Sequence, residues 1–185
     1  MRKLIVFNSV SLDGCFTGAN GDLSWAHTED PEFQEFVQGN AKGAGELLFG
    51  RITYDMMASY WPTPAAILGN PIVAKGMNDA SKVVFSRTME AASWKNTRLV
   101  KADLPAAVRK MKKEAGPGMV LMGSGSIVAQ LAQERLIDEY QFVVVPVALG
   151  AGRTMFEGMK EKLPLKLIST RSFKNGNLFV CYAPG

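Results

Sequence analysis

Glycine and hydroxyl residues separate a predicted strand from a predicted helix in the segment GMVLMGSGSIVAQL, residues 118–131. Glycine lets an anion approach the backbone without a Cβ in the way, and a helix N-terminus presents unpaired N–H groups. The turn Gly123–Ser126 is therefore a candidate pyrophosphate site. An ordinary tight turn with Ser126 as the helix cap fits equally well, because Val128 stands where a full G-x-G-x-x-G motif has its third glycine.

A second predicted strand end, LFGRIT at 48–53, has the same order of strand, glycine and helix. Here Arg51 and Thr53 fall in the first helical turn after Gly50. A cation at a helix N-terminus opposes the helix dipole, and a bound phosphate would explain the placement. The alternative is a solvated arginine, and the dipole argument favours phosphate binding.

A third predicted strand end, VVFSRT at 83–88, again supplies hydroxyls and a guanidinium, from Ser86, Arg87 and Thr88. Three such ends together are typical of a site for a ligand with several phosphates. A dinucleotide carrying a 2′-phosphate is such a ligand, and arginine accommodates that group.

The long segment 11–30 carries the candidate proton donors, which are Asp13, Asp22, Glu29 and Asp30. A carboxyl group beside an apolar ring such as Trp25 can have a raised pKa and supply protons. For Asp30, which precedes Pro31, helix capping is the favoured interpretation, and Asp13 forms a natural turn pair with the following glycine. His27 is the only histidine, and a surface position is the commoner case.

Two adjacent aromatic residues, Tyr60 and Trp61, end the helical pattern that follows Gly50. They could line a substrate pocket and stack on a flat ring, although packing in the core is the default for such side chains.

These candidates need strand ends and helix starts to position them, and the pattern supplies both. We predict strands at 4–7, 46–50, 82–86, 97–101, 119–122 and 140–149, helices near 31–37, 51–61 and 103–116, and a hairpin around Asn175–Gly176. Residues 11–25 are predicted to be a loop, and 62–81 to be irregular with helix-like fragments. Alternating strands and helices imply a mainly parallel sheet covered by helices on both faces.

Composition limits the class of protein. The chain has 185 residues, 47% of them hydrophobic, which fits a single domain spanning 1–185. The sequence lacks an apolar run long enough for a membrane span and a signal-peptide cleavage pattern, so we expect a cytoplasmic protein. One histidine and two distant cysteines argue against a zinc site and against a disulfide framework. The net charge of +4 suits a phosphorylated small molecule better than a nucleic-acid duplex.

The motifs described above occur along the chain in an order that resembles the dihydrofolate reductase-like superfamily. It is most similar to the reductase domain of the bifunctional riboflavin-biosynthesis deaminase-reductase. SLDG (11–14), NGDLSW (20–25) and the long segment 123–152 resemble that reductase domain, while GRITYD (50–55) is closer to dihydrofolate reductases.

The resemblance implies a three-layer fold with a mixed, mostly parallel eight-stranded sheet, NADPH as hydride donor and a homodimer. It assigns the adenosine-side phosphates to Arg51, Thr53, Ser86 and Arg87, and the pyrophosphate to Gly123, Ser124, Gly125 and Ser126. Gly50 and Thr88 are further candidate cofactor-binding residues. It matches Asp30 with the reductase acid and Asp13 with the aspartate of the riboflavin-type loop, and leaves Trp25, Tyr60 and Trp61 as candidate substrate contacts.

Two departures narrow the expected activity. The zinc deaminase signature is absent from the sequence, so a riboflavin-pathway role would cover the reduction step only. The Pro-Leu-Pro-Gly-Arg run of folate-reducing enzymes is also missing after Trp61. We therefore expect an NADPH-dependent reductase of the riboflavin-pathway aminouracil intermediate, with dihydrofolate reductase, or an NADPH-binding protein without turnover, as alternatives.

Overall fold

The structure, a computed structural model, describes residues 1–27, 30–43 and 45–185. Its strands are β1 (Leu4–Ser11), β2 (Cys15–Gly18), β3 (Glu46–Gly50), β4 (Lys82–Phe85), β5 (Thr97–Val100), β6 (Met119–Leu121), β7 (Glu139–Val145), β8 (Gly152–Thr154), β9 (Leu165–Ser172) and β10 (Leu178–Pro184). Its α-helices are α1 (Pro31–Gly43), α2 (Arg51–Tyr60), α3 (Pro64–Gly69), α4 (Pro71–Asp79), α5 (Leu104–Lys113) and α6 (Gly125–Gln133).

Eight strands form one sheet in the order β5-β4-β3-β6-β1-β7-β10-β9. The first six strands in this order are parallel to one another, whereas β10 is antiparallel to both β7 and β9. The predicted mixed, mostly parallel sheet with a C-terminal antiparallel hairpin is therefore confirmed. Because parallel strands need crossovers, the helices between them are placed against the two faces.

Side-chain alternation on β3 shows how both faces are covered. Leu47 and Phe49 point into a cluster with Tyr54 of α2 and Met77 of α4, whereas Leu48 packs with the residues of α5 and α6 on the other face. All four residues from Leu47 to Gly50 are buried, as expected of a central strand with helices on both sides. This burial holds the start of α2 in place at the strand end.

Two predicted irregular regions contain regular structure. Residues 62–81 form α3 and α4, whose N-termini are capped by the side chains of Thr63 and Asn70, each followed by proline. The predicted loop at 11–25 contains β2, which pairs with β8 in a separate two-stranded antiparallel sheet. The cap-proline pairs were readable in the sequence, but a ladder between residues about 135 positions apart was not.

None of the helices within 1–27, 30–43 and 45–185 has the length and apolarity needed to cross a bilayer.

Tyr140 on β7 offers a test of the core packing. Its side chain is fully buried beside Phe156, its hydroxyl has no hydrogen-bond partner among the described residues, and burial raises its pKa to about 12. An unpaired buried hydroxyl costs about 1–3 kcal/mol. We expect Tyr140→Phe to raise the free energy of unfolding by about 1 kcal/mol, measured by urea denaturation. A destabilised variant would show that the hydroxyl is hydrogen-bonded, for example by a buried water.

Candidate functional site

A cleft of about 650 Å³ opens beside β1 at the carboxyl ends of β3 and β6. Much of its wall is apolar. The wall comes from α2, from β2 and the loop that follows it, and from the end of β6. Its apolar residues include Phe16, Leu23, Ile52, Met56, Met57 and Met122. The polar groups are fewer. Among the described lining residues, only His27 and Arg153 have ionisable side chains.

Two of the predicted phosphate-binding turns meet at this cleft. The Gly50 N–H donates a hydrogen bond to the Gly123 carbonyl at 3.0 Å, and Thr53 and Ser124 both line the cleft. A Cβ on Gly50 would lie 2.8 Å from Ser124 Oγ, and one on Gly123 would lie 3.3 Å from Thr53 Oγ1. The peptide bond between Gly123 and Ser124 is cis. Glycine at both positions is what allows the two turns to approach this closely.

The helices that start at these turns lack side-chain caps. The N-termini of α3, α4 and α5 are capped by Thr63, Asn70 and Asp103, and Asp30 Oδ1 accepts a hydrogen bond from the backbone N–H of Phe33 in α1. Neither α2 nor α6 has such a cap among the described residues. Uncapped helix N-termini leave N–H donors and a partial positive charge available to an anion. Ser126 does not act as the helix cap that the alternative interpretation, an ordinary tight turn, required.

The rest of the Gly123–Ser126 turn faces in two directions. Gly125 packs so closely on β2 and β8 that a Cβ there would lie 2.7 Å from Phe16 Cε1 and 3.1 Å from the Thr154 carbonyl oxygen. Ser126 is exposed, and its Oγ lies 3.1 Å from Ser124 Oγ. Of the four residues in this turn, only Ser124 is in the cleft wall.

The third predicted strand end lies on the same edge of the sheet. Phe85 of β4 is the register partner of Gly50, so the turns after β3 and β4 start side by side. Ser86 closes its own turn, since its Oγ accepts hydrogen bonds from the N–H groups of Thr88 and Met89 at 3.3 and 3.0 Å. Arg87 and Thr88 are exposed beyond the cleft wall.

Arg51, on the same edge, is exposed and outside the cleft wall. Its guanidinium pairs with Asp55, one turn along α2, at 3.1 Å. About half of each side chain is exposed, so this pair is worth little and a phosphate could displace it.

Asp13 does not line the cleft and instead joins two loops. Its carboxylate accepts hydrogen bonds from Ser11 Oγ at 2.6 Å and from the N–H groups of Leu149 and Gly150 at 3.1 and 2.8 Å. The hydroxyl of Ser11 and then the two backbone donors lower its pKa to about 2. An acid this strong is ionised at neutral pH, which weighs against the predicted role as a proton donor.

This arrangement predicts an acid-dependent role for Asp13 in stability. A carboxyl whose pKa is lowered on folding stabilises the protein above its unfolded pKa, near 3.8, and loses that effect as the pH falls through about 2. We expect Asp13→Asn to lower the thermal midpoint between pH 5 and 7, and the difference from the wild type to shrink between about pH 4 and 2. A difference that stays constant over that range would contradict the assignment.

The other predicted acid and the aromatic residues also lie outside the cleft wall. Asp30 caps α1, as the favoured interpretation required. Trp25 packs with the cluster around Phe33, and its Nε1 donates to the Asp22 carbonyl at 3.1 Å. Tyr60 and Trp61 form an edge-to-face pair at the end of α2, one turn beyond the last lining residue. The structure therefore does not bring these residues together with Thr53 and Ser124.

Several lining residues were not predicted from the sequence. Ile52 and Met56 are four positions apart on α2, a spacing that predicts a helix face but does not by itself indicate a site. Asn8 lies in the middle of β1, where its Nδ2 is 3.5 Å from the Met122 carbonyl oxygen and its Oδ1 is buried without a described partner. Arg153 comes from β8, which no local pattern indicated.

Comparison with known proteins identifies the family. The model of the RibD C-terminal domain matches residues 2–179. The chain belongs to this family. This membership agrees with the resemblance to the reductase domain of the riboflavin-biosynthesis deaminase-reductase. The protein YyaP of Bacillus subtilis is 28% identical over 182 residues, covering 98% of this chain and 94% of YyaP.

Two solved structures share the fold of this chain. A Shewanella sp. PV-4 protein named for riboflavin biosynthesis superposes with a TM-score of 0.76 at 23% identity, over 99% of each chain. Dihydrofolate reductase from Enterococcus faecalis, solved with NADP(H) and the ligand RAB-propyl, superposes with a TM-score of 0.65 at 15% identity, over 99% of this chain and 96% of that enzyme. The predicted dihydrofolate reductase-like fold is thus confirmed.

Proposed function

We propose that this family member is an NADPH-dependent reductase that transfers a hydride to a small heterocyclic or phosphoribosyl substrate. The single observation that carries the proposal is the meeting of two glycine turns, each leading into an uncapped helix, beside a cleft with apolar walls. An anionic coenzyme with a flat ring needs both features, namely donors for its phosphates and an apolar surface for its ring.

The described residues fit such a coenzyme. The close approach of Gly50 to Ser124 keeps the first turns of α2 and α6 side by side, so that their free N–H groups can act on neighbouring phosphates. The buried Asn8 Oδ1 has no hydrogen-bond partner among the described residues and is a candidate acceptor for an amide N–H of the ligand. We assign the phosphates to Thr53, Ser124 and these N–H groups, with Arg51, Ser86, Arg87 and Thr88 at the outer edge for the adenosine side.

NADPH supplies a hydride when bound. The residues of the chain hold the acceptor against it and exclude water, which is the contribution of the apolar wall formed by Ile52, Met56, Met57 and Met122. Because Asp13 and Asp30 are engaged elsewhere, the proton comes either from water or from His27, the one described lining residue with an imidazole side chain.

The leading acceptor is 5-amino-6-(5-phosphoribosylamino)uracil, the riboflavin-pathway intermediate. Dihydrofolate is the second candidate, and the fold shared with the E. faecalis enzyme together with the apolar cleft wall favours it. A non-catalytic NADPH-binding role is favoured only by the lack of a carboxylate among the described lining residues. The homodimer and the cytoplasmic location stay predictions.

The test combines a binding and a turnover measurement. Trp25 lies in the loop that forms one wall of the cleft, so tryptophan fluorescence can follow a titration with NADPH. Loss of nicotinamide absorbance with each acceptor then reports turnover. Oxidation with the aminouracil alone supports the leading function, oxidation with dihydrofolate supports the second, and saturable binding without oxidation supports the non-catalytic role. Absence of both binding and a thermal shift with NADPH would reject all three.

A further inference from the structure

We propose that Arg153 is a phosphate-binding residue of the cleft, a role that the sequence did not indicate. The inference rests on the proposed function. Arg153 lies on β8, pairs in register with Thr17 of β2, and lines the cleft together with Gly152. Its side chain is exposed, so the guanidinium is accessible to a ligand.

The guanidinium of Arg153 has no acidic partner in the described part of the chain. Four of the other arginines are paired with carboxylates, namely Arg2, Arg51, Arg109 and Arg171. Among the described arginines that lack such a pair, Arg153 is the one that lines the cleft. A guanidinium that is not neutralised inside a cleft is free to form a forked hydrogen bond with a phosphate.

Packing places this guanidinium close to the turn before α6. It lies 5.9 Å from the centre of the Phe16 ring, and the same ring contacts Gly125, where a Cβ would be 2.7 Å from Phe16 Cε1. The next residue, Thr154, also touches Gly125 through its carbonyl oxygen. Phe16 is thus a shared neighbour of the Arg153 guanidinium and of Gly125, the first residue of α6.

The phosphate that Arg153 binds could come from either of two molecules. One is the pyrophosphate of the coenzyme, since the N–H groups of α6 lie nearby. The other is the phosphate of a phosphoribosyl acceptor, since Arg153 is the only cation with a permanent charge among the described lining residues. Both sources present the same chemistry. Each offers a phosphate, as a dianion or as a diester, to which the planar guanidinium can donate two parallel hydrogen bonds.

The test uses Arg153→Met, which keeps an unbranched stem over Phe16 and removes the charge. The matched control is Arg171→Met, because Arg171 is also exposed and lies 4.8 Å from the centre of a phenylalanine ring, Phe173, but on β9 outside the cleft wall. Arg153→Lys keeps the charge without the fork. Dissociation constants are measured by calorimetry for NADPH, NADH, 5-amino-6-(5-phosphoribitylamino)uracil, which is the reduction product of the leading acceptor and carries the same phosphate, and the dephosphorylated form of that product. Thermal midpoints verify folding.

If the coenzyme is the source, Arg153→Met weakens NADPH and NADH equally, by about tenfold or more, and the lysine variant loses less. If the acceptor is the source, only the phosphorylated uracil is weakened by that factor. Either result supports the proposal, provided that Arg171→Met binds as the wild type does. Unchanged binding of all four ligands by folded Arg153→Met would overturn the role of Arg153 alone, whereas a wild type that binds none of them overturns the proposed function.

Discussion

Gly45→Ala is expected to lower the free energy of unfolding by about 3 kcal/mol or more, because it forces a side chain into the backbone of a neighbouring strand. A Cβ at this position would lie 1.9 Å from the Gly118 carbonyl oxygen and 2.7 Å from the Gly118 carbonyl carbon. That same oxygen accepts the N–H of Glu46 at 2.9 Å, the hydrogen bond that starts the pairing of β3 with β6. The clash is with backbone atoms, which cannot rotate away as a long side chain could.

Urea denaturation measures this effect, and Gly39→Ala is the matched control. Gly39 lies in α1, where an added Cβ would have no atom within 4 Å. Alanine is favoured over glycine in a helix interior by about 1 kcal/mol, so the control should be stabilised. A Gly45→Ala variant within about 0.5 kcal/mol of the wild type would mean that β3 and β6 are further apart than described.

Gly50→Ala is expected to weaken NADPH binding by about tenfold while the chain still folds. Its Cβ would lie 2.8 Å from Ser124 Oγ and 2.9 Å from Ile127 Cδ1, so the turn before α6 must move away from α2. Overpacking of this kind costs about 1–3 kcal/mol, and each 1.4 kcal/mol that falls on the bound geometry is a tenfold loss of affinity. The effect follows from the proposal that both turns act on one coenzyme.

The control for this variant is Gly69→Ala in α3, where a Cβ would meet no atom within 4 Å. Fluorescence titration with NADPH well below the thermal midpoint separates affinity from stability. Wild-type affinity in a Gly50→Ala protein with a lowered midpoint would show that the contact is structural only. A loss that the Gly69→Ala variant shares would show that neither glycine reports on the site.

Much of the fold was predictable because its determinants are local. The buried runs at 46–50 and 82–85, the helix starts at Asp30 and Asp103, and the Asn175–Gly176 turn each depend on neighbours in the chain. The same is true of the glycine turns after β3 and β6. Because the carboxyl ends of parallel strands share one edge, these turns were expected to lie together, and they do.

The roles of the individual polar side chains could not be predicted in this way. Asp13 accepts a hydrogen bond from Ser11 within its own motif, and this bond lowers its pKa, as do the backbone N–H groups 136 and 137 positions away. The sequence did not indicate the distant bonds, which help to occupy the carboxylate. Tyr60 and Trp61 stand on the correct helix but one turn past the cleft, because the cleft wall ends at Met57. The spacing of residues in a motif does not indicate where the wall of a pocket ends.

The sequence by itself determined the sheet, the order of its elements and the two glycine turns, since hydrophobic period and backbone freedom are encoded residue by residue. Only the tertiary structure decided which polar groups face the cleft. It placed Arg153 there through the pairing of β2 with β8, and it joined the Asp13 carboxylate to the backbone N–H groups of Leu149 and Gly150, outside the cleft wall. The physical reason is that a long-range ladder and the hydrogen bonds of Asp13 to a distant loop depend on residues far apart in the chain, which a local pattern does not contain.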